Sequence, residues 1–159
     1  MTLKFSNLKN IKLSTCQKMI ILFWAIWSTE VAGSDLVCFL QNFGITQKLH
    51  LFSSNNIKLI EAGLNHYNIS FPFLVISLFF GIVLWDWVTA IFCWCGLWNV
   101  RNANRAFILL CLMDGSFIIF NEFFFQYELV HGSMLRLAFK LVSFAVFAKL
   151  PHTDIKKSE

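Results

Sequence analysis

Three acids, Asp114, Glu122 and Glu128, fall on one strongly apolar stretch of the chain, and two bases, Arg136 and Lys140, fall on the next. A charge at the centre of a bilayer costs about 2.5 to 3.5 kcal/mol on the insertion scale, so each such group must be paired, protonated or hydrated. Groups of this kind relay protons, bind charged solutes or fix helices to one another. On the acidic stretch Asp114, Asn121 and Glu128 recur every seven residues with Glu122 one place over, which gathers the polar groups into one helical stripe. On the basic stretch Arg136, Lys140 and Ser143 stand at i, i+4 and i+7. Folding the two about a turn near His131 and Gly132 sets Glu128 level with Arg136 and Glu122 close to Lys140.

Asp86 extends the pattern to the preceding apolar stretch, where Asp86, Thr89, Cys93 and Gly96 share a helical face. Counting outward from a turn at 101–104 puts Asp86 within about one helical turn of Asp114 in depth. Two carboxylates at one depth cannot both ionise cheaply, so one of them is expected to hold a proton. Asp86, Asp114, Asn121, Glu122 and Lys140 are the candidate path for a proton or small charged solute. Glu128, His131 and Arg136 are the candidate structural or gating ion pairs near the rim. The plainer reading of these groups is a charge ladder that fixes the hairpin, with His131 a solvated turn residue.

Apolar segments must position these groups. Of 159 residues, 57% are hydrophobic and 14% charged, with a mean hydropathy of +0.64, which excludes an ordinary soluble domain and makes lipid the solvent. A membrane-spanning helix needs about 20 apolar residues. The expected fold is an all-α, polytopic membrane protein: a single four-helix transmembrane bundle with spans at 16–33, 71–98, 106–128 and 133–150. The external loop at 34–70 is expected to carry two short amphipathic helices, one ending before Gly44 and one starting after Asn55 and Asn56. Residues 151–159 form a tail.

The first segment allows a second reading. Lys4, Lys9, Lys12 and Lys18 precede an apolar run, and Val31-Ala32-Gly33 follows it, the outline of a cleaved signal segment that leaves three spans. Trp24, Trp27 and Glu30 fit poorly before a cleavage site and favour a retained helix. With four spans, Lys18, Arg101, Arg105 and Lys149 share one side with both termini, and the positive-inside rule puts that side in the cytoplasm. Trp94, Trp98 and Tyr127 suit the interfaces.

The sequence lacks a phosphate-cradling glycine loop, a helical zinc pair and a serine elbow. Nothing in it calls for a metal or cofactor. The net charge of +4 forms no basic stripe with aromatics, so nucleic acid is not an expected partner. Cys93-Trp94-Cys95 lacks metal or redox spacing and reads as packing, as do Cys16 and Cys111, whereas Cys38 is expected to face outside. Gly81 and Gly115 are expected to permit close helix approach. Asn68-Ile69-Ser70 matches a glycosylation acceptor but abuts the membrane. Two functions stay open: a transporter of protons or a small charged solute, enclosed as a homo-oligomer, and a scaffold subunit of a larger membrane complex. An intramembrane enzyme using the acids is a third reading.

Overall fold

The computed structural model describes residues 11–45, 56–69, 71–124, 127–151 and 153–154. Five helices fill it: α1 (Thr15–Asn42), α2 (Asn56–His66), α3 (Pro72–Gly96), α4 (Val100–Phe123) and α5 (Tyr127–Lys149). Two short strands, β1 (Ile11–Lys12) and β2 (Thr153–Asp154), pair antiparallel. All helices except α2 are long and apolar enough to cross a membrane. The chain is therefore an all-α, multi-pass membrane bundle.

Its polarity is inverted relative to a water-soluble bundle. Exposed positions include Met19, Phe23, Leu84, Ile91, Ile119, Leu135 and Val142, while Gln17, Asp35, Asp86, Asp114, Asn121 and Lys140 are buried. Lipid tails solvate the former well and the latter badly, so the arrangement suits hydrocarbon around the bundle.

Local signals set the helix ends. Ser14 and Gln17 form a capping box: the Ser14 hydroxyl accepts from Gln17 N–H at 3.3 Å and the Gln17 side-chain oxygen accepts from Ser14 N–H at 2.9 Å. The Gln17 amide also donates to the Phe147 carbonyl at 2.9 Å, so one buried side chain caps α1 and satisfies the end of α5. Gly44 takes a positive φ of 73°, with Ile45 N–H reaching the Leu40 carbonyl at 3.1 Å, the six-to-one bond of a Schellman stop. Asn68 ends α2 in the same way at φ 56°, Ile69 N–H reaching Leu64 O at 3.1 Å. Pro72 opens α3, and Asn99 caps α4 by accepting from Arg101 N–H at 2.9 Å.

α1 packs chiefly on α3, α3 on α4 and α4 on α5, while α2 lies against α3. Contacts joining α1 to α5 include the Gln17 bonds and the Phe23 and Trp24 rings against Phe139, all in the half of the bundle nearest the strands. Pairing of β1 with β2 holds 11–12 and 153–154 at that same end. An apolar cluster there contains Ile21, Trp24, Ala25, Cys93, Phe107 and Phe147. A second, at the opposite end, contains Cys38, Ile60, Leu64, Val75, Phe79 and Val83. Asp35, Asp86, Asp114 and Lys140 occupy the layer between them.

Several expectations change. The first expected amphipathic helix is the final part of α1, which runs through Gly33 to Asn42, because no proline interrupts it and a lone glycine inside a packed helix does not stop it. The described residues thus hold one external amphipathic helix, α2. Cys38 is buried in the second cluster, a consequence of the same continuation. Arg101 and Asn104 belong to α4 and not to a turn, since Asn99 caps the helix ahead of them. His131 and Gly132 lie within α5, whose start at Tyr127 puts the junction with α4 ahead of both residues. A single Gly-Ser step does not stop a helix that packing supports.

Close approach is made elsewhere than expected. A Cβ on Gly81 or Gly115 meets nothing within 4 Å, whereas one on Gly96 lies 3.0 Å from the Ala103 Cα. That contact lets α3 turn directly into α4. Gly96→Val should lower unfolding stability by about 1 to 3 kcal/mol through overpacking. Gly81→Ala and Gly115→Ala should leave it unchanged or raise it, as read by unfolding in mixed detergent micelles.

Candidate functional site

Counting outward from Phe123, the last residue of α4, and Tyr127, the first of α5, Asp114 falls at the level of Arg136 and Lys140. The geometry agrees: Lys140 Nζ lies 2.6 Å from Asp114 Oδ2, and Arg136 Nε lies 3.5 Å from Asp114 Oδ1. The Lys140 contact is off the line of an aligned hydrogen bond and holds by charge. Lys140 also donates to the Leu110 carbonyl at 3.3 Å, and its ammonium sits 5.9 Å from the Trp24 ring centre. Lys140 and Asp114 are buried, but the Arg136 side chain is 55% exposed. Arg136 donates to Ser133 Oγ at 3.0 Å, which holds its guanidinium along α5.

Both ion pairs among the described residues therefore converge on Asp114. The expected rungs differ in register: Glu122 is exposed and is not paired with Lys140. The displaced junction accounts for this, because moving it toward the N-terminus slides α5 past α4 by more than a helical turn. The side chain of Glu128 lies outside the described residues. His131 is exposed on α5. Asn121 is buried, on the side of α4 that carries Asp114.

The second acidic group is one that sequence reasoning missed. Asp35, expected in an external loop, is 1% exposed on α1 and its carboxyl meets that of Asp86 on α3. Asn56, the first residue of α2, donates its side-chain amide to Asp35 at 2.9 and 3.2 Å. The signal was present: Ser28, Ala32, Asp35 and Cys38 continue the buried stripe of Ile21 and Ala25 at helical spacing. No hydrogen-bond donor reaches Asp86 Oδ2. Around these groups, Thr89 donates to Trp85 O at 2.8 Å, and Ser28 Oγ stands 3.8 Å from Cys93 Sγ.

A cavity of about 310 Å³ joins the two acidic groups. Each helix contributes a polar wall residue: Asp35 from α1, Asn56 from α2, Asp86 from α3, Asp114 from α4 and Lys140 from α5. Leu110, Met113, Phe117 and Phe120 supply an apolar side. Trp27, Leu59, Gly132 and Arg136 line it as well and are exposed, so it reaches the bundle surface between α1 and α5, beside α2. Among sequence candidates, Asp86, Asp114, Asn121, Arg136 and Lys140 line the cavity, and Glu122 and His131 do not.

No family model, curated protein or solved structure matches the chain. Functional inference rests on the chemistry of this cavity.

Removing one partner of a buried ion pair leaves an uncompensated charge, at a cost of about 3 to 5 kcal/mol. Lys140→Met should destabilise the bundle by that order in detergent unfolding, and the double change with Asp114→Leu should recover most of the loss. Arg136→Ala, at a half-exposed position, should cost about 1 kcal/mol or less.

Proposed function

We propose that this chain is a transport-linked membrane protein that binds a small charged solute, or protons, in the cavity lined by Asp35, Asp86, Asp114 and Lys140. The observation that carries the reading is an open cavity reaching two separate buried acidic groups at mid-bundle. A site of about 300 Å³ or more with a few convergent polar groups on apolar walls suits a small ligand. A helix hairpin needs no such space merely to be held together, and burying carboxyls beside it is costly. The mouth between α1 and α5 gives the solute one route in. A route out requires movement of the apolar cluster at the strand end, or a second copy of the chain to complete the path.

Positive charge supports an orientation. Lys18, Arg101, Arg105 and Lys149 lie at the strand end, so the positive-inside rule sets both termini in the cytoplasm and the cavity mouth toward the far face.

A scaffold reading has its own support in the Asp114, Lys140 and Arg136 contacts, which lock α4 to α5 as an assembly device would. Flux separates the two. In proteoliposomes carrying the full chain, Asp114→Asn should reduce proton or solute flux at least about tenfold while insertion, read by protease protection, is unchanged. Glu122→Gln, which lies off the cavity, should retain wild-type flux. Flux insensitive to Asp114→Asn, or co-purification with unrelated subunits in mild detergent and no flux at all, would reject transport.

A further inference from the structure

The cavity is one positive charge short. Its ionisable walls are three acids, Asp35, Asp86 and Asp114, and two bases, Arg136 and Lys140. The bases are not shared evenly, for both lie on Asp114. Asp35 and Asp86 are left with each other and with the neutral Asn56 amide, which engages Asp35 alone, while Lys140 acts on Asp86 only from beyond ion-pair distance. Asp86 is 8% exposed, and its Oδ2 has no donor. A buried carboxylate oxygen with no donor, in a low-dielectric layer, is strongly disfavoured unless a cation or proton reaches it.

The walls select among cations. Among the described residues no cluster of three acidic, histidine or cysteine side chains stands ready for a metal ion, and two carboxyls with amide and hydroxyl neighbours offer a hard cation few ligands. A primary ammonium needs less, since it donates three hydrogen bonds and carries its charge on a compact head. Apolar walls at Met113, Phe117 and Phe120, beside Leu110 and Ile60, would cover a hydrocarbon body behind such a head.

We propose that the Asp35 and Asp86 carboxyls form a site for the single ammonium head of a small amphiphilic amine, which exchanges there with a proton. The inference deepens the solute-binding reading and rests on it. Without amine, the missing positive charge is a proton at the donor-less Asp86 carboxyl. When R–NH₃⁺ enters, its N–H groups bond to the carboxylates and one proton leaves, so the charge of the layer is unchanged. The groups facing Asp86 are Asp35 from α1, Asn56 from α2, Asp114 from α4, and Arg136 and Lys140 from α5. Because the proton competes, amine affinity rises with pH, by about tenfold per unit while the proton is bound. The opening between two spans admits either a free amine or the ethanolamine head of a lipid, which share this chemistry.

The test uses the full chain in phosphatidylcholine nanodiscs, whose quaternary head groups cannot donate hydrogen bonds. Phenethylammonium chloride is titrated by calorimetry in two buffers of different ionisation heat, at roughly pH 6 to 8, where the amine stays charged. Saturable one-to-one binding that releases about one proton per amine is the expected result, with affinity at least about tenfold weaker in Asp86→Asn. The proton count is read on the unaltered chain, so it stands even if Asp86→Asn folds poorly. Absence of saturable binding, binding without proton release, or equal displacement by sodium or potassium chloride overturns the proposal. Adding phosphatidylethanolamine to the disc tells the sources apart: weaker apparent amine binding identifies the lipid head, and unchanged binding identifies the free amine. Amine binding without flux in proteoliposomes would reject transport and keep this site. Flux of some other solute without amine binding would do the reverse.

Discussion

Hydrocarbon cannot solvate an ion, and the arrangement of this bundle follows from that constraint. Asp114 on α4 is answered by Lys140 and Arg136 on α5, and this answer fixes which faces of the two helices meet. Once α4 and α5 are set, the stripe bearing Asp114 and Asn121 must point inward, and the opposite stripe with Ile108, Leu112 and Ile119 must face lipid. α1 and α3 obey the same rule with Asp35 and Asp86. The polar layer then lies between two apolar clusters, which keep it from both ends of the bundle.

Two devices hold the layer open at one side and shut at the other. Near the strands, Gln17 ties α1 to the end of α5, and the Phe23, Trp24 and Phe139 rings fill the gap between them. Toward the other end the walls of the cavity include exposed Trp27 and Gly132 on these same two helices. α2 closes part of that end, with Asn56 reaching inward to Asp35 and Gly63 packed so closely that a Cβ there would lie 3.1 Å from the Phe124 ring. α2 is therefore part of the cavity wall and not only a cover.

Much of the architecture was legible in the residues. Composition and apolar run length identified four spans, because the hydrocarbon thickness fixes how many apolar residues a helix needs. Helical spacing also marked Asp86, Asp114, Asn121, Glu122 and Lys140 as one set, of which the cavity brings together all but Glu122, while Arg136, read as a rim residue, lines it instead. Partner assignment within that set was less legible. It depends on where α4 ends and α5 begins, and Gly132-Ser133 resembles a helix break more than the aromatic sequence between Phe123 and Tyr127 does.

What the sequence determined by itself was the solvent and the inventory: a chain this apolar must live in lipid, and the ionisable groups deepest within its spans must face inward. What only the tertiary structure decided was who meets whom. Asp35 reads as a loop residue until α1 is seen to run through it, and Asn56 reads as a helix cap until its amide is found on that carboxylate. The physical reason is register. A helix repeats every 3.6 residues, so one displaced end leaves the stripe intact but moves every side chain to a new depth, and depth alone sets which charge stands opposite which.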